Sequence, residues 1–269
     1  MSSAILPFAQ PPSVREVIEA SLRLFGRSVL ACLPLATIGT LLGQLPAAYD
    51  VAVHGKPVPL TSASLADKGG EWWALYALGT VASLVLWAIV LARQQRIATG
   101  GAAAASAGAM LARVPAIVGY CLASFVVVLL IALPFGLVAA LLALPAGLRS
   151  AMVLLPLLTA SAAVSLGWPA LVLEGRSSLA AVATGLRLAK LHWRRLALVV
   201  VAILATLIVM VVLAGLVVAV VTGLASPAGA AVQGSLSAAI VLLSAALAVL
   251  YLSAFLLVVF DDLRLRTAG

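Results

Sequence analysis

The sequence predicts an all-α protein, a single polytopic integral membrane helical bundle of about six transmembrane helices, and three observations carry that prediction. Apolar residues make up 65% of the chain and charged residues only 9%, against about half and about a quarter in a soluble domain. The mean hydropathy is +1.25, so lipid must be the solvent for most of this surface. The apolar residues also fall in runs of about twenty or more, the length that carries a helix across about 30 Å of hydrocarbon. Finally, the basic residues gather in alternate loops, as the positive-inside rule requires.

Residues 1–269 read as one membrane domain with spans at 28–48, 72–92, 116–143, 150–172, 196–222 and 236–260. The interfacial pair Trp72 and Trp73 opens the second. The long apolar stretch between 115 and 173 is divided near Pro145, Gly147 and Arg149, which supply a turn. Pro34, Pro134 and Pro156 fall inside spans, where each removes a backbone donor and kinks its helix. Pro134 leaves two readings of 116–143, one kinked span or a span followed by a re-entrant piece. With the N-terminus inside, Arg15, Arg23, Arg27, Arg93, Arg96, Arg113, Arg176, Arg187, Lys190, Arg194, Arg195, Arg264 and Arg266 are cytoplasmic, and only Lys56, Lys68 and Arg149 lie opposite. Both termini are then cytoplasmic.

Two cytoplasmic interfacial amphipathic helices are expected, at 13–26 and 177–193. Ser13 and Glu16 have the spacing of a capping box, and Val14, Val17, Ile18, Leu22 and Phe25 recur at helical spacing opposite Arg15, Glu16, Glu19 and Arg23. The tetrads Ser21-Leu22-Arg23-Leu24 and Gly185-Leu186-Arg187-Leu188 match, and a weaker copy lies at 101–115. The chain thus divides into three units, each a surface helix followed by a hairpin of spans. At the end of the second helix Lys190, His192, Trp193, Arg194 and Arg195 form a basic and aromatic collar, which with Arg187 on the helix is suited to anionic headgroups or a protein partner.

The run from Pro169 to Gly175 (PALVLEG), with Ser177, Leu186-Arg187-Leu188 and His192-Trp193-Arg194, resembles the membrane domain that accompanies some bacterial glycerophosphoryl diester phosphodiesterases. The segment from Ser13-Val14 to Leu22-Arg23-Leu24-Phe25 is similar to that family's N-terminal surface helix. In those enzymes the chemistry resides in a separate soluble domain, so the resemblance implies a membrane module and carries over no catalytic residue.

Chemistry finds little purchase here. The expected spans hold no ionisable residue away from their ends, which disfavours a proton relay. His54 and His192, with Cys32 and Cys121, are too dispersed to converge on a metal, and neither histidine stands beside a serine as a base. No catalytic residue, metal site or cofactor is expected, nor is nucleic acid, because the sixteen Lys and Arg are explained by topology. Glu174-Gly175-Arg176 reads as a structural turn, with Gly175 at positive φ before a helix starting at Ser177. Asp261 and Asp262 read as a solvated tail, the loop 49–71 as a flexible connector, and Gly79 with Ser83 as a small-residue spacing common by chance. Arginine and alanine usage fits a bacterium, and no cleaved signal peptide is discernible. The expectation is a non-enzymatic module of the bacterial cytoplasmic (inner) membrane that scaffolds or regulates a partner or organises lipid. The alternative is a transporter or permease component for a small or lipidic substrate.

Overall fold

The computed structural model describes residues 5–8, 10–55, 67–101, 107–142, 145–224 and 229–268, and among them every regular element is helical. The first helix, α1 (Val14–Gly43), opens on the expected capping box. The Ser13 hydroxyl accepts from the Glu16 amide at 3.3 Å while the Glu16 carboxylate accepts from the Ser13 amide at 2.6 Å. The expected break between a surface helix at 13–26 and a span at 28–48 does not occur. Gly26 weakens the helix without stopping it, so α1 runs unbroken for 30 residues, about 45 Å at the helical rise. It ends at Gly43, ahead of the expected boundary. Pro46, four residues after Leu42, cannot donate to that carbonyl and crowds it, so a second helix, α2 (Leu45–His54), starts afresh.

This short helix takes up part of the segment expected to be a flexible connector. Asp50 on it is buried, with Lys68 Nζ at 2.5 Å and the Trp72 indole donating at 3.3 Å. The Lys68 hydrogen bond holds the Asp50 carboxyl below the usual carboxylate range. Trp72 is therefore packed inside, 2% exposed, and of the expected interfacial pair only Trp73 faces outward. Lys56 and the rest of 56–66 lie outside the described residues.

The helix α3 (Gly70–Thr99) crosses α1 at close range. A Cβ on Gly79 would collide with the Leu42 carbonyl, and the Ser83 hydroxyl bonds the Gly39 carbonyl at 2.5 Å. The Gly79 and Ser83 spacing, common by chance in such a sequence, is here the crossing point. Gln94, fully buried near the other end of α3, donates to Ser28 Oγ at 3.2 Å and to the Leu250 carbonyl at 2.9 Å.

The five-residue helix α4 (Ala107–Leu111) follows, while 102–106 of the weak middle repeat lie outside the described residues. Next come α5 (Val114–Leu141) and α6 (Ala146–Ser165). Pro134 sits within α5 without dividing it, so the re-entrant reading is not adopted. The span expected at 150–172 falls within the membrane-crossing segment Gly147–Leu173, with a break in the helix at the single residue Leu166, because Pro169 crowds the Ser165 carbonyl one turn back. The chain restarts as α7 (Gly167–Leu173). Then come α8 (Ser178–Leu191), α9 (Trp193–Leu224) and α10 (Ala230–Ala268). The last runs 39 residues, about 58 Å, twice the hydrocarbon thickness.

Successive long helices pack together, α1 on α3, α5 on α6 and α9 on α10, and α10 closes back on α1. The core is concentrated where α10 passes the ends of α3 and α8, around Ala254, Phe255, Val258, Val259 and Leu263. Elsewhere, large apolar side chains stand outward, among them Leu122, Phe125, Leu129 and Leu130 on α5 and Val201, Ile208, Val211 and Leu216 on α9. Soluble monomers rarely expose patches beyond a few hundred Å², so lipid is the natural cover. Among the described residues five helical segments are long and apolar enough to cross a bilayer: Val14–Gly43, Gly70–Thr99, Val114–Leu141, Gly147–Leu173 and Val232–Thr267. The expected fifth span, 196–222, lies within α9, which is 32 residues long.

Candidate functional site at the basic end of the bundle

One end of the bundle gathers the ends of α3, α7 and α10, the starts of α5 and α9, and the whole of α8. The turn after α7 is built as the sequence predicts. Gly175 has φ 69° and Ser177 occupies the cap position before α8. Arg113 explains why the turn is so tight: its guanidinium donates to the Leu171 and Val172 carbonyls at 3.2 and 2.8 Å. It thereby satisfies carbonyls at the end of α7, and a Cβ on Gly175 would meet it at 2.9 Å.

The expected surface helix 177–193 is observed as α8, ending at Leu191, but it is not laid loosely on the interface. Ala181, Val182, Thr184, Gly185, Leu188 and Ala189 are buried. A Cβ on Gly185 would lie 2.6 Å from the Ala163 carbonyl oxygen and 2.8 Å from the Gly167 nitrogen. The two matched tetrads share one burial pattern, with Ser21 and Leu24, like Gly185 and Leu188, inside while Arg23 and Arg187 face out.

The collar residues divide. Arg195 is an internal strut: its Nε meets Asp262 Oδ2 at 2.8 Å, and its terminal nitrogen donates to the Pro12 carbonyl at 3.0 Å. Arg266 does the same from the other side, at 2.8 Å to Asp262 Oδ1 and 2.7 Å to Pro12. Asp262, expected to be a solvated tail, has no exposed surface. Asp261 likewise accepts from the Phe8 amide at 3.2 Å. Further along the same N-terminal segment, the Ile5 and Leu6 amides donate to the Ala98 carbonyl at 2.7 and 3.1 Å. The segment before α1 is thus a strap binding the end of α3 to the end of α10. His192 contacts the Thr267 hydroxyl at 3.3 Å, and Arg194 lies over the Trp193 ring at 5.5 Å. Trp193, Arg194, Lys190 and Arg187 are exposed.

At the same end of the bundle lies a cleft of about 210 Å³, lined by Glu174, Arg176, Thr184, Arg187, Leu188, Phe260, Arg264 and Thr267. Glu174 bridges two of its arginines, at 2.6 Å to Arg176 and 2.7 Å to Arg264. Arg176 also donates to the Thr184 hydroxyl at 2.8 Å, and Arg264 stands 5.7 Å from the Phe260 ring centre. Arg187 has no hydrogen bond or ion pair among the described residues. Arg176 and Arg264 escaped the sequence reading because their neighbours in the chain, a turn and a tail, pointed to no site.

A second cavity, of about 360 Å³, lies farther along the bundle between α1, α3 and α10. Thr40, Gln44, Thr80 and Ser83 contribute polar groups to it among apolar neighbours, and the buried Trp87 indole nitrogen beside it has no partner among the described residues. A neighbouring cavity of about 410 Å³ shares Thr40, Gln44 and Ala245. No group of three or more His, Cys, Asp or Glu is placed to hold a metal ion among the described residues. Cys32 is buried, Cys121 half-buried, and both are free thiols.

These features define a multi-pass helical membrane protein with a polar, arginine-rich end. No protein-family model, curated protein or solved structure matches the chain.

Proposed function

We propose that this chain is a non-enzymatic module of a bacterial cytoplasmic membrane, with both termini in the cytoplasm, whose basic end engages anionic lipid headgroups. The observation that carries the reading is the division of the arginines. Arg195 and Arg266 are spent on Asp262, whereas Arg187, Lys190 and Arg194 stand exposed on the same end with no carboxylate partner among the described residues. Exposed basic side chains beside an anionic membrane surface contribute about 1 kcal/mol each to attraction, and Trp193 suits the headgroup layer. The resemblance to the phosphodiesterase-associated membrane domain fits a module whose associated chemistry belongs to another domain or protein.

The test is a triple reversal, Arg187→Glu, Lys190→Glu and Arg194→Glu, with Arg195 left intact because it is structural. Lipids co-purifying with the full chain should lose their enrichment in phosphatidylglycerol several-fold, while the thermal unfolding midpoint stays within a few degrees. Unchanged enrichment would remove the lipid reading. If an acidic protein co-purifies through these residues instead, the module is a scaffold for that partner.

A second reading, a transport component for a small or lipidic substrate, is favoured by the cavity between α1, α3 and α10 with its Thr40, Thr80 and Ser83 hydroxyls. It ranks behind the first because much of that lining is apolar and carries no charge.

A further inference from the structure

The arginine-lined cleft combines charge, shape and an uncommitted donor in a way the broader lipid reading does not require. Its three guanidiniums come from three separate places: Arg176 from the turn after α7, Arg187 from α8 and Arg264 from the extended end of α10. Glu174 is the one carboxylate of its lining among the described residues, leaving two positive charges uncompensated there. The hydroxyls there are already spent. Thr184 donates to the Ala180 carbonyl at 2.7 Å while accepting from Arg176 at 2.8 Å, and Thr267 donates to the Leu263 carbonyl at 2.7 Å. Recognition therefore falls to the guanidiniums, above all to Arg187, whose planar fork of donors matches two oxygens of a tetrahedral anion.

From this geometry we infer that the cleft is a binding site for a phosphate monoester, a proposal that rests on the anionic-headgroup reading and narrows it to one site. A monoester carries about −1.5 to −2 at neutral pH, which matches the two uncompensated charges. A diester carries one negative charge and leaves one arginine unbalanced. A cleft of about 210 Å³ accommodates a phosphate group and a small part of what it is attached to. Its walls also explain the length of α10, because Phe260, Arg264 and Thr267 sit on the turns that run on from the buried core. The same monoester chemistry is presented by a membrane lipid, phosphatidate, and by soluble phosphates.

Two arms separate these sources, both using the full chain and the variants Arg187→Gln and Lys190→Gln. In detergent, inorganic phosphate is titrated against the purified protein by calorimetry. In nanodiscs, retention of phosphatidate is compared with retention of phosphatidylglycerol. The expected result is saturable binding in at least one arm, weakened about tenfold or more by Arg187→Gln and less than about twofold by Lys190→Gln. Arg187-dependent phosphate binding in detergent without a phosphatidate preference in nanodiscs identifies a soluble ligand, and Arg187-dependent preference for phosphatidate identifies the lipid. Equal losses in the two variants, no dependence on Arg187 in either arm, or equal retention of phosphatidylglycerol and phosphatidate together with no phosphate binding in detergent would each overturn the proposal. A chain that keeps the enrichment carried by Lys190 and Arg194 yet shows none of these Arg187 effects loses only the monoester site. Loss of the headgroup reading itself is read from the triple reversal.

Discussion

Asp262 shows how much one side chain can decide. It is fully buried and lies between two guanidiniums that both also hold the Pro12 carbonyl. A buried charge of this kind is tolerated because each of its oxygens has a charged donor. Removing it would leave Arg195 and Arg266 confronting each other with no counter-ion. Asp262→Asn is therefore expected to destabilise the protein by about 3–5 kcal/mol and to free the N-terminal strap. Arg264→Gln, which loses a part-exposed pair while Glu174 keeps Arg176, should cost under about 1 kcal/mol. Thermal unfolding in detergent separates the two, and equal effects would show that the Asp262 cluster is no strut. Arg194 and Arg195 make the same point from the other side. They are adjacent and chemically identical, yet one lies over an exposed indole and the other is locked against Asp262.

At the scale of elements, the close crossings set the architecture. Without a hydrophobic force between helices in lipid, packing depends on small residues that let backbones approach. Gly79 performs this for α1 and α3, and Gly167 with Gly185 for α8 against α6 and α7. Gly185→Ala should cost about 1–3 kcal/mol, because the added methyl meets backbone atoms that cannot rotate away. Gly26 in α1 has open space around its Cβ position, so Gly26→Ala should be neutral or stabilise by about 0.5–1 kcal/mol. Unfolding midpoints of the two variants give the comparison directly, and a harmless Gly185→Ala would refute the crossing. The repeat acquires a physical meaning here as well. Its matched positions are those where a helix buries one small and one leucine side chain, Ser21 with Leu24 and Gly185 with Leu188. The two copies then diverge, since α1 continues straight into the bundle whereas α8 stops and α9 restarts after His192, at φ −127° and ψ 40°.

For the molecule as a whole, the proposed orientation has its own test. A reporter fused after residue 60 or 230 should read as outside the cytoplasm, and one after 98, 180 or 269 as inside. A cytoplasmic reading at residue 60 would invert the orientation and move the arginine cleft to the opposite face. The packing is uneven at this scale. Residues at the arginine-rich end are deeply buried, while the outer faces of α5 and α9 remain apolar and open to lipid. Long helices make this possible, because the extra turns of α1 and α10 beyond the hydrocarbon thickness form a folded polar cap.

Composition and periodicity determined by themselves that this is a helical membrane protein, where most of the apolar runs lie, that Ser13 and Glu16 cap the first helix and that Gly175 turns the chain before α8. Each of these is local, resting on residues within a few turns of one another, so sequence spacing suffices to read it. Only the tertiary structure decided that Val14–Gly43 is one helix, that Asp50 and Trp72 are buried partners, and which arginines are struts and which face outward. Those outcomes depend on which distant segments meet: Arg195 reaches Asp262 across 67 positions and Arg266 reaches Pro12 across 254. A charge pattern along the chain is the same whether its members pair internally or stand free. The difference lies in burial and geometry, which arise when the ends of α3, α8 and α10 come together.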